Sequence, residues 1–172
     1  MATTQVNPTR MELTRLKKKL ATATRGHKLL KDKRDELMRQ FLDLVRENMA
    51  LRQKVEAGIE AANRNFVVAK AGMSEEMLRT ALMAPKQEVY LELSKKNVMS
   101  VDIPVFDTKT RTADENDIYS YGFAFTTGDL DGAVKSLADI LPAMLHLAET
   151  EKSCQLMASE IEKTRRRVNA LE

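Results

Sequence analysis

Fifteen residues in the first third of the chain form one heptad seam: Leu13, Leu16, Leu20, Ala23, His27, Leu30, Arg34, Leu37, Phe41, Leu44, Asn48, Leu51, Val55, Gly58 and Ala62. They follow one another at alternating steps of three and four. An average repeat of 3.5 residues keeps one stripe facing a partner helix in a left-handed supercoil. The pattern predicts a helix from Pro8 to Phe66, roughly 85 Å long at ~1.5 Å per residue. Ordinary globular helices run ~10–14 residues. A rod of this length cannot bury its own stripe, so it needs a partner helix, and its role is mechanical or connective.

The partner is available at the other end of the chain. Leu137, Ile140, Met144, Leu147, Glu151, Cys154, Ala158, Ile161, Arg165 and Val168 form a second seam at the same steps. Setting Asn48 level with Glu151 in an antiparallel pair puts Phe41 opposite Ala158, Leu44 opposite Cys154 and Gly58 opposite Ile140. Large residues then meet small ones, and the two polar seam residues share a layer. One layer is unfavourable, because Arg34 faces Arg165. In this register residue 172 reaches only His27, which leaves Leu13, Leu16, Leu20 and Ala23 uncovered. Pro142 interrupts the second seam and predicts a kink or a boundary.

Between the seams the period changes. Asn7 is a candidate cap for the first helix, with Pro8 in its first turn and Thr9 to Glu12 at capping-box spacing. Ser74 opens a short helix, Glu75 to Met83, stopped by Pro85. Glu88 to Leu93 and Val98 to Phe106 then alternate with period two, which predicts a β-hairpin turning at Lys95-Lys96-Asn97. Pro104 places the second strand at an edge or a bulge. Residues 107–117 read as a polar loop, and the aromatic run Ile118 to Phe125 as a segment packed on the hairpin. The expected fold is mainly α: a long antiparallel two-helix left-handed coiled coil around a small middle region with a short helix and a β-hairpin. Its parts are 8–66, 73–127 and 129–172, forming one elongated unit.

Composition agrees with long amphipathic helices rather than an aromatic-rich core, since 31% of residues are charged, 5% are aromatic and Trp is absent. No run of ~18 apolar residues occurs, so no membrane insertion is expected. The single cysteine, Cys154, excludes an internal disulfide and fits a reducing compartment. Basic residues are concentrated: eleven Lys or Arg against four acids lie between Arg10 and Arg39, and four more basic residues lie from Lys163 to Arg167. Such clusters suit an anionic partner, although a solvated helix face accounts for them equally well. No phosphate loop or dinucleotide fingerprint is present, and His27 and His146 lack metal-ligand spacing. No catalytic residue, metal or cofactor is expected.

Several segments together resemble a known family. Asn7-Pro8-Thr9-Arg10-Met11-Glu12-Leu13, Leu16-Lys17-Lys18-Lys19-Leu20 and Arg25 through Leu37 are similar to the N-terminal helix of the D subunit of the V-type and archaeal-type rotary ATPases. Asn97 to Pro104 resembles that family's mid-chain hairpin, and Glu162 to Glu172 its C-terminal helix. Family members continue beyond the last of these motifs, so a C-terminal truncation is expected. The resemblance implies a non-catalytic rotor axle within a catalytic A–B hexamer, coupling ATP hydrolysis or synthesis to rotation of a membrane ring. It implies a small F subunit on the lower coil, a C-type (eukaryotic d-type) connector below, and a cytoplasmic location peripheral to the membrane. Nucleotide chemistry would belong to the hexamer. The candidate hexamer-facing residues are Leu13, Leu16, Leu20, Arg165, Arg166 and Arg167. Those for the F-facing lower coil are Val45, Met49, Ile59, Phe66, Val134 and Leu141. The hairpin contributes Val98, Met99, Val101, Ile103 and Val105.

Two other readings compete. A prefoldin-like chaperone also joins a coil pair through β-hairpins and assembles into a hexamer. A basic coil that binds nucleic acid would show binding that falls steeply with salt.

Overall fold

A computed structural model describes residues 7–122, 124 and 126–172. Helix α1 spans Arg10–Gly72 without a break, 63 residues or about 95 Å. Its cap is Thr9 rather than Asn7: the Thr9 hydroxyl accepts from the Glu12 amide at 3.3 Å, and Pro8 stays outside the helix. Helix α2 covers Glu75–Ala81, and the Ser74 hydroxyl caps it by accepting from the Met77 amide. Strands β1 (Val89–Val98) and β2 (Val101–Thr110) pair antiparallel, a 3₁₀ turn follows at Glu115–Ile118, and α3 runs Gly128–Asn169. Helix α3 continues through Pro142, which lies on its exposed side.

The two long helices pack against each other over most of α3, and the first seam stands as read. From Ala23 to Ala62 every one of its members is buried or half-buried, with Leu37, Val55 and Ala62 at 5% exposure or less. The register also stands. Ile140 lies against Gly58 so closely that a Cβ there would come within 2.4 Å of its Cδ1. At the far end His27 Nε2 meets Glu172 Oε1 at 3.3 Å.

The second seam is corrected in every other position. Leu147, Cys154, Ile161 and Val168 face α1 as expected, but they alternate with Thr150, Met157 and Thr164, one residue earlier than Glu151, Ala158 and Arg165. Leu137 and Met144 are also exposed rather than enclosed. Both choices obey the heptad. Burial of the large Met157 side chain, with Arg165 turned toward water and Glu151 only half-buried, decides between them, because an unpaired charge in a seam is costly. The unfavourable Arg34–Arg165 layer thereby disappears. Thr164 is fully buried and Arg165 exposed, while Arg34 pairs with Asp35 at 2.7 Å. The Thr164 hydroxyl has no hydrogen-bond partner among the described residues.

The hairpin turn is shifted as well. Lys95-Lys96-Asn97 belong to β1, and Met99-Ser100 form the two-residue turn, with φ of 51° and 71°. Positive φ at both central positions matches the twist of a type I′ turn, although neither residue is a glycine. Two contacts support the strained backbone: Asn97 Oδ1 accepts from the Ser100 amide at 3.2 Å, and Met99 packs into the coil. Pro104 lies on an edge strand as expected, since the sheet has two strands. The polar loop is shorter than read, because β2 continues to Thr110.

Among the described residues, two cores hold the molecule together. In mid-coil, Leu37, Met157, Ile161 and Val101 are buried together, with Phe41, Leu44, Val98, Met99 and Ile103 around them. The hairpin tip is therefore fastened to the coil. At the base, Ala69, Leu78 and Leu130 are buried beneath Phe66, Met73, Tyr121 and Val134. Tyr121 belongs to this base core instead of packing on the hairpin, and its hydroxyl donates to Asp131 at 2.8 Å. Phe123 and Phe125, from the same aromatic run, lie outside the described residues.

Candidate protein-interaction site

The first two heptads of α1 extend past the reach of α3. Leu171 lies over Gly26 and Glu172 contacts His27, so α1 above this level has no helix beside it among the described residues. Leu13, Leu16 and Leu20 are 54%, 40% and 68% exposed. Around them Lys17, Lys18, Lys19, Arg25, Lys28 and Lys31 form no ion pair among the described residues. This end combines an apolar stripe with uncompensated positive charge.

Arg165, Arg166 and Arg167 are exposed but stand apart from that stripe. Arg166 pairs with Glu162 at 2.5 Å, and Arg167 approaches Glu160 at 4.0 Å. Glu160 also meets Lys33 at 3.7 Å, which sets the arginine run beside Lys31 to Arg34. Leu20 is about thirteen residues farther along α1, or roughly 20 Å. The two groups are successive bands on the same basic half of the coil rather than one cluster. Just below, the Arg39 guanidinium hydrogen-bonds the Glu36 carboxylate and holds its pKa down to about 2, with a further hydrogen bond from Gln40. That pairing neutralises the charge at this level.

The lower-coil candidates separate into two kinds. Met49 is 59% exposed, while Val45, Ile59 and Leu141 are half-buried. Phe66 and Val134 pack into the chain's own base core. The sequence reading missed Met38 and Leu42, which are 40% and 48% exposed and continue the line through Val45 and Met49 at steps of four, three and four. The signal was present as a second apolar line beside the stronger seam. Of the hairpin candidates, Val101 is buried, and Val98, Met99 and Ile103 pack on the mid-coil core; Val105 is half-buried. Their contacts are thus mainly internal. On β1, Val89, Tyr90, Leu91 and Leu93 remain exposed.

Lys86 and Asp117 lock the root of the hairpin with a close ion pair, and Gln87 hydrogen-bonds Thr112 through both its amide groups. The Lys86 ammonium, with help from the Thr112 hydroxyl, holds the Asp117 carboxyl below the usual range. A cavity of about 480 Å³ opens nearby, lined by Met77, Ala81, Tyr121 and Thr126. No helix among the described residues is long and apolar enough to cross a membrane.

Comparison with known proteins assigns the family. The chain is 62% identical to the V-type ATP synthase D subunit of Acetivibrio thermocellus over 172 residues, 100% of this chain and 78% of that protein. It is 60% identical to the protein of the same name from Clostridioides difficile, over 100% of this chain and 77% of the relative. The Clostridium botulinum protein of that name matches at 56% over 97% of this chain. The family model for the ATP synthase D subunit matches residues 12–172. An antiparallel coil of two long helices, fastened by a central hairpin and matched along nearly its whole length, belongs to the ATP synthase D-subunit family and is a component of a V-type rotary ATPase.

Proposed function

We propose that this chain is the central axle of its rotary ATPase, a non-catalytic rotor that couples ATP hydrolysis or synthesis in an A–B hexamer to rotation of the membrane ring. The observation that carries this reading is α1 itself. It is one unbroken helix of 63 residues, braced by α3 from its base up to the level of His27. A continuous helix paired over many layers resists twisting and bending together, because turning one helix must disturb every packed layer of the other.

The two ends suit different neighbours. The basic upper end, carrying Leu13, Leu16 and Leu20 and the band of Arg165, Arg166 and Arg167, fits acidic loops of the hexamer. Exposed positive charge in a shallow contact attracts partners in several orientations without one deep pocket to hold them. The line Met38, Leu42, Val45 and Met49 suits the small F subunit, with Ile59 and Leu141 lower on the same coil. The base, at α2 and the start of α3, would meet the C-type connector. This places the chain on the cytoplasmic side, peripheral to the membrane. The hairpin packs its tip on its own coil, which argues against the hexamer-forming hairpins of a prefoldin-like chaperone.

Copy number tests the reading. Mixed with catalytic A and B subunits and F, the chain should appear once per A–B hexamer and one-to-one with F in native mass spectrometry. Several copies per hexamer, or no complex with either, would overturn it.

A further inference from the structure

The hairpin leaves one strand edge open. Strand β2 packs along α3, and β1 is the outer strand of the pair. Hydrogen-bonded and non-hydrogen-bonded pairs alternate along an antiparallel ladder. The Arg111 amide donates to the Glu88 carbonyl at 2.9 Å, while Pro104, opposite Lys95, has no N–H to give. Counting between these two fixed points, Val89, Leu91, Leu93, Lys95 and Asn97 turn their backbone N–H and C=O groups away from β2. Nothing among the described residues pairs with those groups. The same row carries exposed apolar side chains: Val89, Leu91 and Leu93 are 42%, 43% and 69% exposed. They lie on the face opposite to Val98, Val101 and Ile103, which fasten the tip to the coil. Folded proteins usually blunt such an edge with a proline, a bulge or repeated charge. Strand β2 has this device in Pro104, whereas β1 runs ten residues in unbroken register with neither proline nor bulge. Its one charge in the outward row is Lys95, near the tip, and Lys95 and Lys96 form no ion pair among the described residues.

We propose that β1 is an acceptor edge for an extended segment of another subunit of the complex, added as a third strand with apolar side chains over Leu91 and Leu93 and a carboxylate near Lys95 and Lys96. Outward N–H and C=O groups recur every second residue, about 7 Å apart. An extended backbone matches that spacing, whereas a helix has already spent its backbone groups on itself. The added strand removes Leu91 and Leu93 from water, and the two unpaired ammonium groups favour an acidic residue at the tip end. It also steadies the hairpin, because a sheet of two strands is marginal without further cover.

The test is residue-resolved hydrogen exchange on the full chain, alone and assembled with the other subunits of its V-type complex. Alone, the outward amides of Leu91, Leu93 and Lys95 should exchange fast, and those of Glu92 and Ser94, bonded to β2, slowly. In the complex the outward amides should slow by about tenfold or more. Unchanged rates there overturn the proposal. Leu93→Pro and Leu93→Ala both remove the side chain, but only proline removes an outward N–H, at a position where an edge tolerates it. Slowing at Leu91 and Lys95 should persist with alanine and be lost with proline. Equal behaviour of the two variants means an apolar contact without strand pairing, which also overturns the proposal. If Leu93→Pro loses the hairpin, read from the Glu92 and Ser94 amides, Lys95→Pro against Lys95→Ala makes the same comparison at Leu93 and Asn97. Slow outward amides in the chain alone, together with a dimer in sedimentation, would give the edge to a second copy and contradict the assignment. The measurement requires only membership of the complex, so its failure is distinct from failure of the axle reading.

Discussion

Gly58 carries much of the close approach between the helices. A methyl group there would come within 2.4 Å of Ile140 Cδ1 and 2.8 Å of its Cγ1, and Ile140 is only 8% exposed, with little room to turn. Alanine favours a helix over glycine by ~1 kcal/mol, whereas overpacking a tight core costs ~1–3 kcal/mol. The clash should win. Gly58→Ala is expected to lower stability by about 1 kcal/mol in urea unfolding, and adding Ile140→Val, which removes Cδ1, should recover part of the loss. A more stable Gly58→Ala chain would mean that the helices stand farther apart. At the hairpin root, Asp117 is held below the ordinary aspartate value of ~3.9 by Lys86. A depressed carboxyl contributes stability that is present above its unfolded value and lost as pH falls through its folded value. The advantage of the native chain over Asp117→Asn should therefore be level above the ordinary aspartate value and shrink progressively as the pH falls below it. An advantage that does not shrink as the chain is acidified would show that the contact is not ionic.

At the scale of elements, the second seam supplies a direct contrast between neighbouring positions. Met157 is 1% exposed and Ala158 faces water. Met157→Ala should cost about 2–5 kcal/mol by loss of apolar burial and an unfilled cavity. Ala158→Asp should change stability by less than about 0.5 kcal/mol. Reversed effects would restore the seam through Ala158 and Arg165. The first seam was legible because its apolar residues are large and regular, from Leu30 through Val55 to Ala62. The second was only half legible. Leu147, Cys154, Ile161 and Val168 are shared by two heptad assignments, and periodicity alone does not choose between Ala158 and Met157. The choice depends on which assignment buries more volume against α1 and spares Arg165 from the seam, which needs both helices at once. The hairpin turn was misplaced for a related reason. Lys95, Lys96 and Asn97 favour a turn locally, but fastening Val98, Met99 and Val101 to the coil moves it to Met99-Ser100. Tertiary packing outweighs a turn preference of this size. The exposure of Leu13, Leu16 and Leu20 at the upper end was legible as the stretch of the first seam that α3 does not reach among the described residues. Lower down, Phe66 and Val134 read as surface residues but pack into the base core, which the seams alone do not reveal.

Across the whole molecule, charge is graded along the axis, and the functional account depends on that gradient. Replacing Arg165, Arg166 and Arg167 with alanine should weaken association with the hexamer about tenfold at low salt, with less effect as salt screens the contact. Binding of F and the melting temperature should stay nearly unchanged, because these side chains are exposed. Equal loss of both partners would show that the basic band and the Met38–Met49 line are one surface. The most direct test of the axle itself is single-molecule observation. With the A–B hexamer fixed to glass and a bead attached near the base of this chain, added ATP should drive unidirectional rotation of the bead. A bead that stays still while the same complexes hydrolyse ATP would contradict the account.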